Sequence, residues 1–225
     1  MIEVGQQLNE VQRAVGTRVL EAGQVRVVTV SQVYDATLEE LWDACTNAER
    51  IPRWFLPVSG DLRLGGHYQL EGNAGGTIER CDPPHAFQAT WEYGGNVTWI
   101  ELRLAAEPAG GTRFVLDHLI PVDADPPWDQ FGPGAVGIGW DMALLGLANH
   151  LATGRAIDPT ESATWAMSDA ARQFMTGSST RWYEADVAGG ADSAAARASA
   201  DRTIAAYTAP PPDSSADPSA TSPSS

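Results

Sequence analysis

Between Pro57 and Ile120 the chain is a run of short alternating segments, VSGDLR, HYQLEG, GTIERC, AFQATWEYG, VTWIELRLA and TRFVLDHLI, parted by glycine or proline with glycine doublets at 65, 75, 94 and 110. Immediately afterwards, from Phe131 to Leu151, the apolar residues switch to helical spacing. Few architectures accept that order. Strands joined by tight glycine turns pair with their sequence neighbours and build an antiparallel meander. Alternation then assigns inward sets: Phe87, Ala89, Trp91 and Tyr93 on one strand, Ile100, Leu102 and Leu104 on the next, Phe114, Leu116, His118 and Ile120 on a third. The stripe Val136, Trp140, Ala143, Leu144, Leu147 and Leu151 predicts a long amphipathic helix to cover that face, closed by Gly154 at its C-cap. Glycines in its opening, FGPGAVGIG, are expected to let its backbone approach the sheet closely.

Upstream, VRVVTVSQVY (25–34) is rich in β-branched residues and reads as the first strand. Thr37 stands three residues before Glu40, the capping-box spacing, so TLEELWDACTN starts a short helix with Leu38, Leu41, Trp42 and Cys45 on its apolar face. A second short helix, AERIPRW, follows Asn47 and must start or bend at Pro52. The fold class is therefore α+β: a curved antiparallel sheet of about six or seven strands wrapped on a long C-terminal helix, with two short helices after the first strand. Such a sheet cannot fill its interior completely and leaves a cavity against the helix.

The organisation predicted is an N-terminal segment 1–24, the sheet-and-helix domain 25–154, a helical extension 159–208 and a disordered tail 209–225. The tail, APPPDSSADPSATSPSS, carries no large apolar residue to offset the entropy of ordering. In the extension, Ala163, Met167, Ala171 and Phe174 recur at helical spacing, a turn-rich stretch carries Trp182, Tyr183 and Val187, and Ala196, Ala200, Ile204 and Tyr207 form another stripe. Narrow alanine stripes bury little area, so these helices need a partner: the same chain, or a second copy in a homodimer.

Charge excludes several functions. All 14 basic residues are arginine against 29 Asp plus Glu, a formal net charge of −15. Without lysine there is no Schiff base, no pyridoxal phosphate anchor and no Walker-type loop. Nucleic-acid backbones and anionic membranes would be repelled. No basic n-region precedes an apolar run at the N-terminus, and no apolar stretch approaches about 18 residues, so neither a signal peptide nor a membrane span is expected. Two cysteines, Cys45 and Cys81, form no CxxC motif, and a reducing cytoplasmic setting fits them.

The entry YDATLEELWDACTNAERIPRWF, the GlyGlyHisTyr at 65–68, the CysAspProPro at 81–84 ahead of Trp91-Glu92, and LeuAspHis at 116–118 before the long helix together carry a resemblance. Residues 25–154 resemble the helix-grip superfamily (SRPBCC) of birch pollen allergen, START lipid-transfer and polyketide cyclase domains. Within it they are most similar to bacterial relatives of the C-terminal domain of the heat-shock protein 90 ATPase activator. The resemblance implies a small apolar ligand held between sheet and helix, and in a minority of members catalysis. The eukaryotic activator also has a separate N-terminal chaperone-binding domain, for which 24 residues are too few.

Trp42, Trp54, Phe55, Tyr68, Trp91 and Trp140, with Leu144 from the helix stripe, are the candidate cavity wall, the aromatics offering flat apolar area plus polar tips to orient a ligand. Against this stands simple core packing. His118 is the sharpest single candidate: an acid or base in a cyclase- or hydrolase-type enzyme, or a core histidine with its hydrogen bonds satisfied. Asp117 alternates to the opposite face and is no partner for it. His67, His85 and His150 lack metal-ligand spacing, no serine sits in a GxSxG elbow, and Glu92 and Glu101 point outward, so neither a metal nor a covalent cofactor is expected. Three readings remain: a small-molecule binding protein for a neutral, apolar or aromatic ligand; an enzyme using His118; and a chaperone-activator-like interaction module.

Overall fold

The computed structural model describes residues 3–21, 23–123 and 128–209, so all but the first residue of the expected tail lies outside the described residues. Among them run eight strands: β1 (Gln12–Leu20), β2 (Gly23–Tyr34), β3 (Val58–Gly60), β4 (His67–Leu70), β5 (Gly75–Asp82), β6 (Ala86–Tyr93), β7 (Asn96–Ala106) and β8 (Thr112–Pro121). They form one antiparallel sheet in the order β1-β2-β8-β7-β6-β5-β4-β3. The meander from β3 to β8 is consecutive in sequence, as short glycine turns require, while β2 crosses back to pair with β8 and closes the curved sheet around its contents.

The strand beyond the expected six or seven is β1, drawn from the N-terminal segment. Arg13, Gly16 and Arg18 mask its pattern, because an edge strand half-exposed along its length has no continuous apolar face to advertise. The expected strand VSGDLR is also shorter than its pattern. It stops at Gly60, which has φ 103° and lies so close to the His67 carbonyl oxygen that a Cβ would sit 2.2 Å from it.

The inward sets are as alternation assigns them over most of the sheet: Ile100, Leu102, Leu104, Phe114, Leu116 and His118 are all buried. Tyr93 is the exception at 60% exposed, since it stands at the β6–β7 hairpin beyond the reach of the covering helix. On the opposite face Asp117 receives Thr29 Oγ1 at 2.7 Å and arginines Arg18 and Arg103 at 2.9 Å each.

Among the described residues seven α-helices accompany the sheet: α1 (Val4–Glu10), α2 (Leu38–Thr46), α3 (Trp128–Phe131), α4 (Gly134–Thr153), α5 (Pro159–Ala166), α6 (Asp169–Ala188) and α7 (Ser193–Thr208). Thr37 caps α2 by accepting the Glu40 amide at 3.2 Å. The second short helix is a single 3-10 turn, Ile51–Arg53, with Pro52 in its first positions. Gly132 (φ 61°) and Pro133 delay the start of the expected long helix to Gly134, leaving Phe131 as the last residue of α3, and Gly154 (φ 68°) ends α4 by donating its amide to His150 O at 2.7 Å.

The long helix differs from its expected amphipathic form, because its second face is covered as well. Gly137, Ile138, Asp141, Leu145 and Ala148 are buried alongside the predicted stripe. The extension lies over them in the same chain. Its central part is not turn-rich: α6 is continuous for 20 residues and buries Trp182 and Phe174 almost completely. The glycines at the start of α4 serve this contact rather than the sheet. A Cβ on Gly137 would fall 2.2 Å from the Trp182 ring, and one on Gly134 would meet Thr203 of α7 at 3.1 Å.

One buried charge pair ties three parts of the chain together. Arg13 of β1 and Asp141 of α4 meet at 2.9 Å with side chains 4% and 0% exposed. Asp141 also accepts the Trp182 indole N–H at 3.1 Å and the Ser178 hydroxyl of α6. Burial pushes its carboxyl pKa up, and Arg13 opposes that shift.

Candidate functional site

Sheet and α4 enclose a cavity of about 480 Å³. Trp140, Ala143 and Leu144 of α4 form one wall, Trp42 and Cys45 of α2 with Trp54 and Phe55 of the 3-10 turn a second, and inward side chains of β4 to β8, among them Tyr68, Phe87, Ala89 and Trp91, the rest. The wall arises directly from alternation on the strands and three- and four-residue spacing on the helices. Seven of the eight predicted ligand-contacting residues therefore converge on one space: Trp42, Trp54, Phe55, Tyr68, Trp91, Trp140 and Leu144. His118 is not on the wall.

The aromatic rings are ordered against one another. Phe55 lies nearly parallel to Trp54 (5.5 Å, 24°) and to Trp140 (6.3 Å, 25°), and Trp91 approaches Trp140 to 5.1 Å. Their polar tips do not serve as the sequence suggests. Trp54 donates to Ala44 O at 2.8 Å, Tyr68 to Thr90 O at 2.7 Å, and Trp140 to His118 Nδ1 at 3.1 Å. A buried N–H or O–H without a partner costs about 1–3 kcal/mol, so the fold satisfies these three internally. What these three rings offer a guest is apolar surface.

His118 stands behind Trp140. Because an indole N–H can only donate, Nδ1 must be the accepting nitrogen and the proton sits on Nε2. That nitrogen is 2.8 Å from Thr98 Oγ1, whose own hydroxyl donates to Trp91 O at 3.0 Å. Both ring nitrogens are thus engaged, and burial lowers the imidazole pKa to about 4. A neutral imidazole of fixed tautomer holds two wall tryptophans in place.

Both cysteines face the cavity, and burial pushes the Cys45 thiol up to about 12, so it is not a thiolate near neutral pH. Sequence reasoning missed Leu62, Arg63 and Leu64, which line the mouth from the loop between β3 and β4. The available signal was two leucines flanking an arginine beside a glycine doublet. A second, more polar groove of about 380 Å³ lies across α4, bounded by Met142, Leu145, Gly146, Ile157 and Trp165. Among the described residues no His, Cys, Asp or Glu cluster could hold a metal ion, and no helix is long and apolar enough to cross a membrane.

Known proteins are similar to this chain in sequence and fold. The family model described as "Activator of Hsp90 ATPase homolog 1-like protein" matches residues 35–152. No curated protein matches the chain. CalU16 from Micromonospora echinospora is 34% identical. Its crystal structure covers 78% of this chain and 97% of its own at a TM-score of 0.59, and its solution structure covers 80% and 97% at 0.64. The Enterococcus faecalis protein EF2215, 15% identical, covers 79% of this chain and 92% of its own at a TM-score of 0.55, a likeness of fold alone.

Proposed function

The chain belongs to the activator of Hsp90 ATPase homolog 1-like family of the helix-grip superfamily, and we propose that it binds a small apolar or aromatic molecule in the cavity between the sheet and α4. The observation that carries this reading is the cavity of about 480 Å³ with a predominantly apolar wall. That volume lies within the roughly 300–1,000 Å³ range of small-molecule sites. A core selected only for packing closes such space, because each unfilled methyl-sized void costs about 1 kcal/mol. The ordered, nearly parallel rings of Trp54, Phe55 and Trp140 favour flat guests, and the internal satisfaction of their tips favours guests with few polar groups in the body.

For His118 we propose a positioning role rather than acid–base catalysis. Its two nitrogens hold Trp140 and Thr98 and it does not touch the cavity. A general acid or base must reach the proton it transfers.

The test uses a neutral fluorescent probe, N-phenyl-1-naphthylamine, titrated into the full chain and into Ala89→Leu, which adds three carbons at a wall position 1% exposed. The wild type should bind saturably at one site. Ala89→Leu should fold, as judged by its thermal transition, and bind at least about tenfold more weakly, the ratio given by about 1.4 kcal/mol. Equal saturable binding by both would place the probe elsewhere and refute the reading.

A further inference from the structure

We propose that the ligand is an amphiphile with one acidic group, its apolar body in the cavity and its carboxylate at the rim against Arg63. This rests on the cavity being a binding site and adds the polarity of the guest. The sequence leads to a neutral guest, because few inward strand positions hold an arginine. The mouth loop lies outside that premise: among the described residues Arg63 is the single charged side chain on the wall.

Its placement is built. Asp61 N–H donates to His67 O at 2.8 Å, Gly65 N–H to Ile78 O at 2.8 Å, and Ile78 N–H returns to Gly66 O at 3.0 Å, so both ends of the loop are tied into the sheet. Gly66 packs where a Cβ would come within 2.0 Å of Asp61 O, which fixes the turn sterically. Asp61 holds the Arg63 Nε at 2.6 Å and so orients the guanidinium. The two terminal nitrogens have no protein partner among the described residues, and the side chain is 80% exposed. A planar fork held by its Nε presents the geometry that takes a carboxylate bidentately. Leu64, also on the wall, is 62% exposed and offers apolar contact beside it.

Deeper in the cavity no described lining residue is charged, so a carboxylate there would be an unpaired buried charge, which costs several kcal/mol. The rim is the one place where an acid is met by a cation, and the chain's charge of −15 makes that cation selective in position rather than merely attractive.

The experiment measures displacement of N-phenyl-1-naphthylamine at pH 7.5 by decanoic acid and decan-1-ol, and by 1-naphthoic acid and 1-naphthylmethanol, from wild type and Arg63→Gln. The substitution should weaken one or both acids by roughly two- to fivefold, the range for an exposed ion pair, and leave both alcohols unchanged. The pair that responds tells an aliphatic acid from an aromatic one. Alcohols that bind while neither acid responds to Arg63→Gln, or equal weakening of acid and alcohol, would overturn the proposal and leave the cavity reading standing. Absence of saturable probe binding would remove the cavity reading and this one with it.

Discussion

Replacing Asp141 with alanine should lower the unfolding free energy by about 3–5 kcal/mol, the range for breaking a buried ion pair from one side. The cause is the guanidinium left behind. Arg13 is 4% exposed, its Nη1 is bonded to the carbonyls of Leu8 and Val11, and its Nη2 has no hydrogen-bond partner. Losing Asp141 strands that charge in the interior and also frees the Trp182 indole N–H and the Ser178 hydroxyl. Hydrogen exchange should show the earliest loss of protection in β1 and α6, the two elements the pair fastens to α4. The double replacement Arg13→Met with Asp141→Leu should recover most of the stability, because removing both charges removes the penalty. A cost under about 1 kcal/mol for Asp141→Ala would mean that solvent reaches Arg13 and that this ion pair does not fasten the extension.

The second large effect is a pH dependence. Burial holds His118 near a pKa of about 4 in the folded state against an ordinary 6.5. The unfolded chain therefore binds a proton that the folded chain refuses across that window, and stability rises with pH there. The contribution is fully present above pH 6.5 and is lost progressively as pH falls toward 4. With about 1.4 kcal/mol per pH unit the loss is at most about 3.5 kcal/mol. Protonation would also turn Nδ1 from acceptor to donor against the Trp140 N–H, so the wall itself loosens. Urea unfolding at intervals from pH 7.5 to 4.5 should show this slope in the wild type. His118→Gln should be less stable at pH 7.5 and should lack the slope attributable to this residue. Parallel curves for the two proteins would show that His118 titrates normally and is solvated.

Much of the fold was legible because glycine doublets and strict alternation leave the strands from β4 to β8 few alternatives. The same alternation found the cavity wall. Phe87, Ala89 and Trp91, and Trp140 with Leu144, reach one space because periods of 2 and 3.6 fix direction as well as secondary structure. Four things were not legible. An edge strand such as β1 has no continuous apolar face, so Arg13 falls in an N-terminal segment with no strand assigned to it although it forms the central ion pair. The second buried face of α4, Gly137, Ile138, Asp141, Leu145 and Ala148, is broken by a glycine and an aspartate and does not read as an apolar stripe until Trp182 is placed against Gly137. The directions of indole and phenol tips depend on which carbonyl lies within reach, and no periodicity gives that. Arg63 lies in a loop, where side-chain direction follows turn geometry rather than a repeat.

The most direct measurement is the location of the guest. With methyl-labelled protein saturated with N-phenyl-1-naphthylamine, intermolecular NOEs should reach the methyls of Ala89, Leu102, Ala143 and Leu144, all on the wall of the cavity. NOEs confined to Met142 and Leu145, which line the groove on the other side of α4, would contradict the central claim that the space between sheet and helix is the binding site.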